Sequence, residues 1–323
     1  MAEGTGAQPR WKSYAALSAV YFIWGSTYLV ISFAIETIPP LAMAGVRTSL
    51  AGLLLIAWTR LRHEERPRLI HWRSAWIIGT LLFVAGNGGV TWAEQHVPTG
   101  FAALMIGAVP IWIVLINWLA FGGDRPNQRM AMGLGLGLCG LALLVGPADL
   151  VGGEHIDSRG IIVLVIASLS WSVGSLYARQ APLPDNSLLA AGMEIFCGGM
   201  MLLMTSAGTG EWARLDLGGI SLRSVLAMLY LSLIGSLVSF SAYVWLLRHT
   251  TPARATSYAY VNPVVAVILG WAFAGEPVTI RMIAATTIIV LAVVVITSLR
   301  AQPPARPREV VQPEVTPETS AAK

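Results

Sequence analysis

Asn87, Thr91 and Glu94 stand four and then three positions apart within an apolar run. At helical spacing they share one face. Polar groups aligned on a membrane helix usually face the bundle interior or water. A carboxamide, a hydroxyl and a carboxylate so placed could hydrogen-bond a passing solute, or could only glue neighbouring helices. Asn87 lies between Gly86 and Gly88, so a neighbour can approach closely. Glu94 falls near the outer end of the run, where a solvated carboxylate is the plainer reading.

Arg47 and Glu194 are charges within other apolar runs. The expected partners are Glu94 or Glu36 for Arg47, and Arg179 or Arg254 for Glu194. Such pairs could gate the two faces of a membrane protein. They could equally be static pairs, or long side chains reaching the interface. Pro110 and Pro263 sit in the middle of two further runs, and each removes a backbone hydrogen bond and clashes one turn back. The carbonyls of Ile106 and Ala259 then need another partner or a wet cavity. We therefore expect kinks facing a central pathway, with simple packing of a curved helix as the alternative.

Trp24, Trp171, Tyr243 and Tyr258 lie deep in apolar runs, and Asn262 precedes Pro263. With Asn87 and Thr91 they are the expected lining of a midplane cavity. Many aromatics and few charges suit apolar, aromatic or amphipathic solutes. Aromatic side chains in bundles also serve as packing. By contrast, Asp124 and Glu276 each follow a helix-ending glycine and precede Pro126 or Pro277. Each is expected to cap the next helix.

Enzyme chemistry finds little support. His63, His71, His96, His155 and His249 all fall in loops or at run ends, with no metal-ligand spacing. A phosphate-cradling glycine loop is absent as well. No cofactor is expected. An intramembrane enzyme, or a scaffold or sensor, is kept only as the alternative to a solute carrier.

The elements that must hold these residues follow from composition. Of 323 residues, 55% are hydrophobic and 12% charged, and the mean hydropathy is +0.66. Soluble domains hold about 25% charged residues. The apolar residues come in blocks of about 20, the length of a helix crossing a bilayer. The spans expected are 13–35, 40–61, 73–94, 98–121, 127–146, 159–180, 187–207, 222–247, 252–273 and 278–299. Cys139 and Cys197 fall inside spans and read as small buried hydrophobes. The formal net charge of +4 is no nucleic-acid signal. Lys and Arg crowd one side of the membrane, leaving only Arg159, Arg214, Arg223 and Arg281 on the other. That imbalance puts both termini in the cytoplasm.

The chain also repeats itself. Ala120-Phe121-Gly122-Gly123-Asp124 is echoed by Ala272-Phe273-Ala274-Gly275-Glu276, and Gly25-Ser26-Thr27-Tyr28 by Gly174-Ser175-Leu176-Tyr177. Arg47 and Glu194 are repeat-equivalent. The expected organisation is a short amino-terminal segment 1–12, a first unit 13–147, an outer linker 148–158, a second unit 159–299 and a disordered cytoplasmic tail 300–323. Units with an odd number of spans insert with opposite orientations. The fold expected is thus an all-α integral membrane protein, ten transmembrane helices forming an inverted repeat of two five-helix units.

Trp24-Gly25-Ser26-Thr27-Tyr28, Ala85-Gly86-Asn87-Gly88, Val97-Pro98-Thr99-Gly100 and Ser257-Tyr258-Ala259-Tyr260-Val261-Asn262-Pro263 resemble EamA-type permeases. These belong to the drug/metabolite transporter superfamily, and the resemblance runs to their YedA-like branch. It covers residues 13 to 299. It implies a bacterial inner-membrane protein of ten helices in an inverted repeat that exports metabolites or drugs; the function expected here is export by alternating access, with amino-acid-like solutes among the candidates. It does not imply a substrate. Small multidrug members of the superfamily use a carboxylate in the middle of their first helix. Here the first span's acid is Glu36, at its outer end, so that mechanism does not carry over. The expected partners are a small-molecule substrate and the lipid bilayer. Protons, carried by Glu94 or Glu194, are a candidate coupling ion.

Overall fold

The computed structural model describes residues 10–62, 66–150, 157–249 and 258–300, and among them all regular structure is helical. Helix α1 is Arg10–Ala34, α2 Pro40–Leu61, α3 Leu69–Ala93, α4 Thr99–Ala120, α5 Gln128–Leu150, α6 Ser158–Ala178 and α7 Ser187–Gly208. Helix α8 starts as Leu222–Tyr230 and continues through Ser239–His249, α9 is Tyr258–Ala274 and α10 is Ile280–Arg300. Among the described residues, seven helices, α1 to α7, are long and apolar enough to cross a membrane, and Leu222–Val238, Val261–Ala274 and Ile280–Ile296 are shorter apolar helices. In hydrocarbon only helices or closed barrels satisfy the backbone, and these sequences satisfy it as helices.

Helix starts are marked by polar caps. Asp157 accepts from Arg159 N at the start of α6, Asn186 from Leu188 N and Leu189 N at α7, and Ser221 from Ser224 N at α8. The ends of α4 and α9 match in another way. Gly122 and Gly275 both have φ 67°, a left-handed turn that only glycine adopts freely.

The expected caps at Asp124 and Glu276 are corrected. Asn127 caps α5, accepting from Met130 N at 2.9 Å, and Thr279 caps α10, accepting from Met282 N at 3.1 Å. Glu276 is instead turned across the molecule to the start of α4. Its carboxylate accepts from Thr99 N at 2.6 Å and Gly100 N at 3.1 Å. A similar crossed cap closes α2, where buried Glu211 accepts from Leu41 N and Ala42 N, and from Ser206 Oγ. A carboxylate suits exposed amides at the positive end of a helix dipole. Glu276→Ala and Glu211→Ala should each lower stability by about 1–2 kcal/mol, the value of a good cap. Thermal unfolding of the purified variants in detergent reads this directly, and an unchanged midpoint would contradict it.

Helix α2 packs along α7 and α5 along α10. Small residues carry both seams. A Cβ at Gly45 would sit 2.8 Å from Leu203, one at Gly52 would strike the backbone of Phe196, and one at Gly192 would lie 3.2 Å from Ile56. Rising numbers on α2 therefore meet falling numbers on α7, and the two helices are antiparallel. On the other seam Gly133 meets Ile296, Gly137 meets Ala292 and Gly140 meets Ile289, which is also antiparallel. Such glycine-lined contacts draw backbones together in place of a hydrophobic force that lipid does not supply.

The remaining contacts come in matched sets. Helix α1 packs on α8 and α9, and α6 packs on α3 and α4. Helix α2 touches α8, and α7 touches α3. Adding five to a helix of the first half gives its counterpart in each pair. The largest buried apolar cluster draws on α3, α4, α5, α6 and α10.

Candidate functional site

Arg47 is buried on α2, at 5% exposure, and its Nη2 donates to Asn87 Oδ1 of α3 at 2.6 Å. Thr91, one turn on, donates to the carbonyl of Asn87 at 2.9 Å. The aligned face of α3 therefore holds together, and its direct tie to α2 runs through Asn87. The proposed Arg47 partner Glu36 is engaged elsewhere. It pairs with Arg223 at 2.8 Å, and Arg223 also lies over the Phe33 ring at 3.7 Å.

Glu94 is not the solvated carboxylate expected. It is 8% exposed, and neither carboxylate oxygen has a hydrogen-bond partner. Arg47 Nε and Thr99 Oγ1 are buried and unpartnered too. The position at the end of α3 suggested water, but Tyr28, Arg47 and Glu276, from three other parts of the chain, lie within electrostatic reach of this carboxyl. Burial here is tertiary, and a run end alone does not reveal it.

A feature the sequence reading missed surrounds Asn87. Residues Thr80–Gly88 of α3 form a π-helical segment, and so do Leu231–Val238 of α8. These are corresponding stretches of the two halves. A π turn widens the helix and shifts carbonyls out of the regular ladder, a device often found at functional sites. Some of these carbonyls are met from the facing helix. Trp24 Nε1 of α1 donates to Gly235 O at 3.2 Å, and Ser170 Oγ of α6 donates to Leu81 O at 2.9 Å. Glycine is the sequence trace, Gly86 and Gly88 in one segment and Gly235 in the other, and glycine alone does not specify a π turn.

The aromatic residues fall into two groups. Trp24, Tyr243 and Tyr258 form a triangle with ring centroids 5.2, 4.8 and 5.5 Å apart. Asn262 is buried beside it; with its amide turned to donate, it reaches Tyr258 O at 3.3 Å and Tyr21 O at 3.2 Å. Trp171 stands apart from this triangle and meets Phe83 edge-on at 6.4 Å. Phe240 then meets Tyr243 at 6.3 Å. Phe83 and Phe240 pack on the same buried patch of Ala51, Leu55 and Ile195. The rings thus form an arc across the α2–α7 seam, joining the two groups.

Glu194 is half-buried on α7, and no ion pair to it forms among the described residues. Its suggested partner Arg179 is exposed at the end of α6, and Arg254 lies outside the described residues. Arg47 and Glu194 are not paired with each other. Gly45 against Leu203 and Gly52 against Phe196 set the register of the seam. That register leaves Arg47 and Glu194 roughly seven residues apart along it, roughly 10 Å at helical rise.

The two prolines act differently. Helix α4 is interrupted at Ala108 and restarts as Val109–Ala120, with Pro110 in its first turn. Helix α9 runs unbroken through Pro263. The expected matching kinks are therefore a break in one half and a continuous helix in the other. Proline is accommodated at Pro110 because a first-turn N–H has no intrahelical partner to lose. A groove between α9 and α10, lined by Val264, Ile268, Ile283 and Leu291, is apolar and holds none of the polar groups above.

Comparison with known proteins agrees with this architecture. The chain is 40% identical over 296 residues to the inner membrane transporter YedA of Escherichia coli K12, covering 91% of this chain and 93% of that protein. It is 23% identical to the transporter YvbV of Bacillus subtilis, covering 88% of this chain and 91% of that one. A solved crystal structure of a protein 18% identical in sequence superposes with a TM-score of 0.60, covering 90% of this chain and 97% of that chain, which speaks to the fold alone. The EamA-like transporter family model matches residues 11–146 and again 158–298, so the chain is a tandem pair of this family's units and belongs to the EamA-like transporter family.

Proposed function

We propose that this membrane transporter exports small apolar, aromatic or amphipathic solutes, amino-acid-like ones among them, across the bacterial inner membrane by alternating access. The proposed frame is ten spans in an inverted repeat, with both termini cytoplasmic. The observation that carries it is the antiparallel seam between the repeat-equivalent helices α2 and α7, flanked by Arg47–Asn87 and by the aromatic arc. Two halves related by an axis in the membrane plane have two mirror arrangements of similar energy, one open to each side. The π segments sit where each half must bend.

In this reading Trp24, Tyr243 and Tyr258 offer ring faces to the solute. Asn87 and Asn262 offer hydrogen bonds, Thr91 backs Asn87 through its carbonyl, and Trp171 lines the opposite wall. Few charges face the path, so the protein is suited to solutes that shed little hydration. Arg47 sets the outer end and Glu194 the inner end.

The test is a solute-efflux screen in overexpressing cells, read by metabolomics, followed by uptake into proteoliposomes. Solutes depleted from cells and carried by the purified protein support the reading; no carried solute, or transport in the inward direction only, would refute export. Orientation has its own test. A single cysteine at Leu217, 76% exposed between α7 and α8, should react with an impermeant maleimide in intact cells, and one at Gln180 only after lysis. The reverse pattern would overturn the assignment of the termini.

A further inference from the structure

Glu94 is the least satisfied polar group of the described molecule. It ends α3 in a place where neither oxygen reaches solvent or any hydrogen-bond donor. An ionised carboxylate so placed is costly, and charges buried in a membrane protein mark ion or proton paths. The groups around it come from different elements. Tyr28 of α1 and Arg47 of α2 lie within electrostatic reach. So does Glu276 of the α9–α10 turn, which is itself fixed to the first amides of α4. His96, two residues on, is stacked 4.3 Å from Trp92. Thr99 Oγ1, at 3% exposure, is a second unpartnered oxygen at the start of α4.

We propose that Glu94 is a proton-binding site at the junction of the two halves, loaded when this end of the bundle is closed and emptied when it opens. Its oxygens are sealed from solvent, so the site takes a proton rather than a hydrated ion or a solute. On opening, the carboxyl O–H bond breaks, the proton passes to water, and the carboxylate keeps the electron pair. Arg47, with its Nε–H unpartnered, then balances the charge. On closing, the proton returns. Glu276 belongs to the second half but is bonded to the Thr99 and Gly100 amides of the first, so opening between the halves breaks those bonds and withdraws its negative charge from Glu94. That makes occupancy sensitive to conformation. The role in turnover rests on the alternating-access reading, but proton occupancy can be tested without it.

Purified protein in lipid vesicles is examined by infrared spectroscopy at neutral pH for the C=O stretch of a buried protonated carboxylic acid. The band should be present in the wild type, absent in Glu94→Gln and retained in Glu194→Gln. If Glu94→Gln does not fold, Glu94→Asp should shift the band. A wild-type spectrum without the band, or a band unchanged by both Glu94 variants, would make Glu94 an ionised structural partner of Arg47. With a solute from the efflux screen, Glu94→Gln should lose its response to an imposed pH gradient while keeping solute counterflow. Failure to find any solute would count against the transport reading and leave the spectral result standing.

Discussion

Asn87→Leu should lower solute efflux by at least about tenfold while the protein still inserts at normal abundance. Asn87 Oδ1 is the acceptor for buried Arg47, at 2.6 Å. A hydrogen bond to a charged group is worth about 1.5–3 kcal/mol, and losing it also strands the charge. That energy corresponds to roughly a 10- to 150-fold change in an equilibrium. Leucine fills the space but offers no acceptor, so Arg47 must find another. The neighbouring Thr91 hydroxyl is already given to the Asn87 carbonyl. Asn87→Asp keeps an acceptor and should retain much of the activity. Initial rates of efflux, normalised to membrane protein, check both variants. If Asn87→Leu transports at the wild-type rate, the Arg47–Asn87 tie is mere helix glue outside the pathway.

Gly52→Val should have the largest effect on stability. A Cβ at Gly52 meets the backbone N and Cα of Phe196 and the Gly192 carbonyl, and Gly199 meets the backbone of Ser49 from the other side. Backbone cannot rotate away as a side chain can, so α2 and α7 must separate. Overpacking typically costs 1–3 kcal/mol where side chains can yield, and about 3 kcal/mol or more is expected here. The result should be a fall of many degrees in the unfolding midpoint and lost yield in detergent. Gly208→Val, where added atoms meet nothing within 4 Å, is the control and should stay close to wild type. Equal stability of the two variants would mean that the seam is looser than the packing indicates. Gly199→Val should reproduce the Gly52 effect, since it blocks the same seam from α7.

Much of this protein follows from local chemistry. Apolar blocks of bilayer length dictate helices, because lipid offers the backbone no other partners. Repeated motifs around Asp124 and Glu276 mark the duplication, and the family match to residues 11–146 and 158–298 bears it out. The glycine turns at Gly122 and Gly275 are legible because only glycine readily takes φ 67°. The approach of Thr91 to Asn87 is legible because residues four apart share a helix face.

Other facts are decided between elements. Glu276 was expected to cap its own next helix, yet it caps α4, 177 positions away from Thr99. Its own helix is served by Thr279. Local spacing names a residue able to cap but not which helix end lies nearest in space. Glu94 looks solvated by its position in the run, yet it is buried, with groups from three distant parts of the chain within electrostatic reach. Arg47 had two carboxylates as expected partners and instead hydrogen-bonds to a carboxamide. Glu36, just past the end of α1, is held by Arg223 at the start of α8. The π segments arise from backbone geometry that no single residue type requires. The aromatic arc from Trp171 to Tyr258 passes over a buried patch that α2 and α7 build together from Ala51, Leu55 and Ile195. Periodicity fixes what each helix presents along its own axis; which helix receives it depends on packing between segments far apart in the chain, and that is a property of the folded bundle.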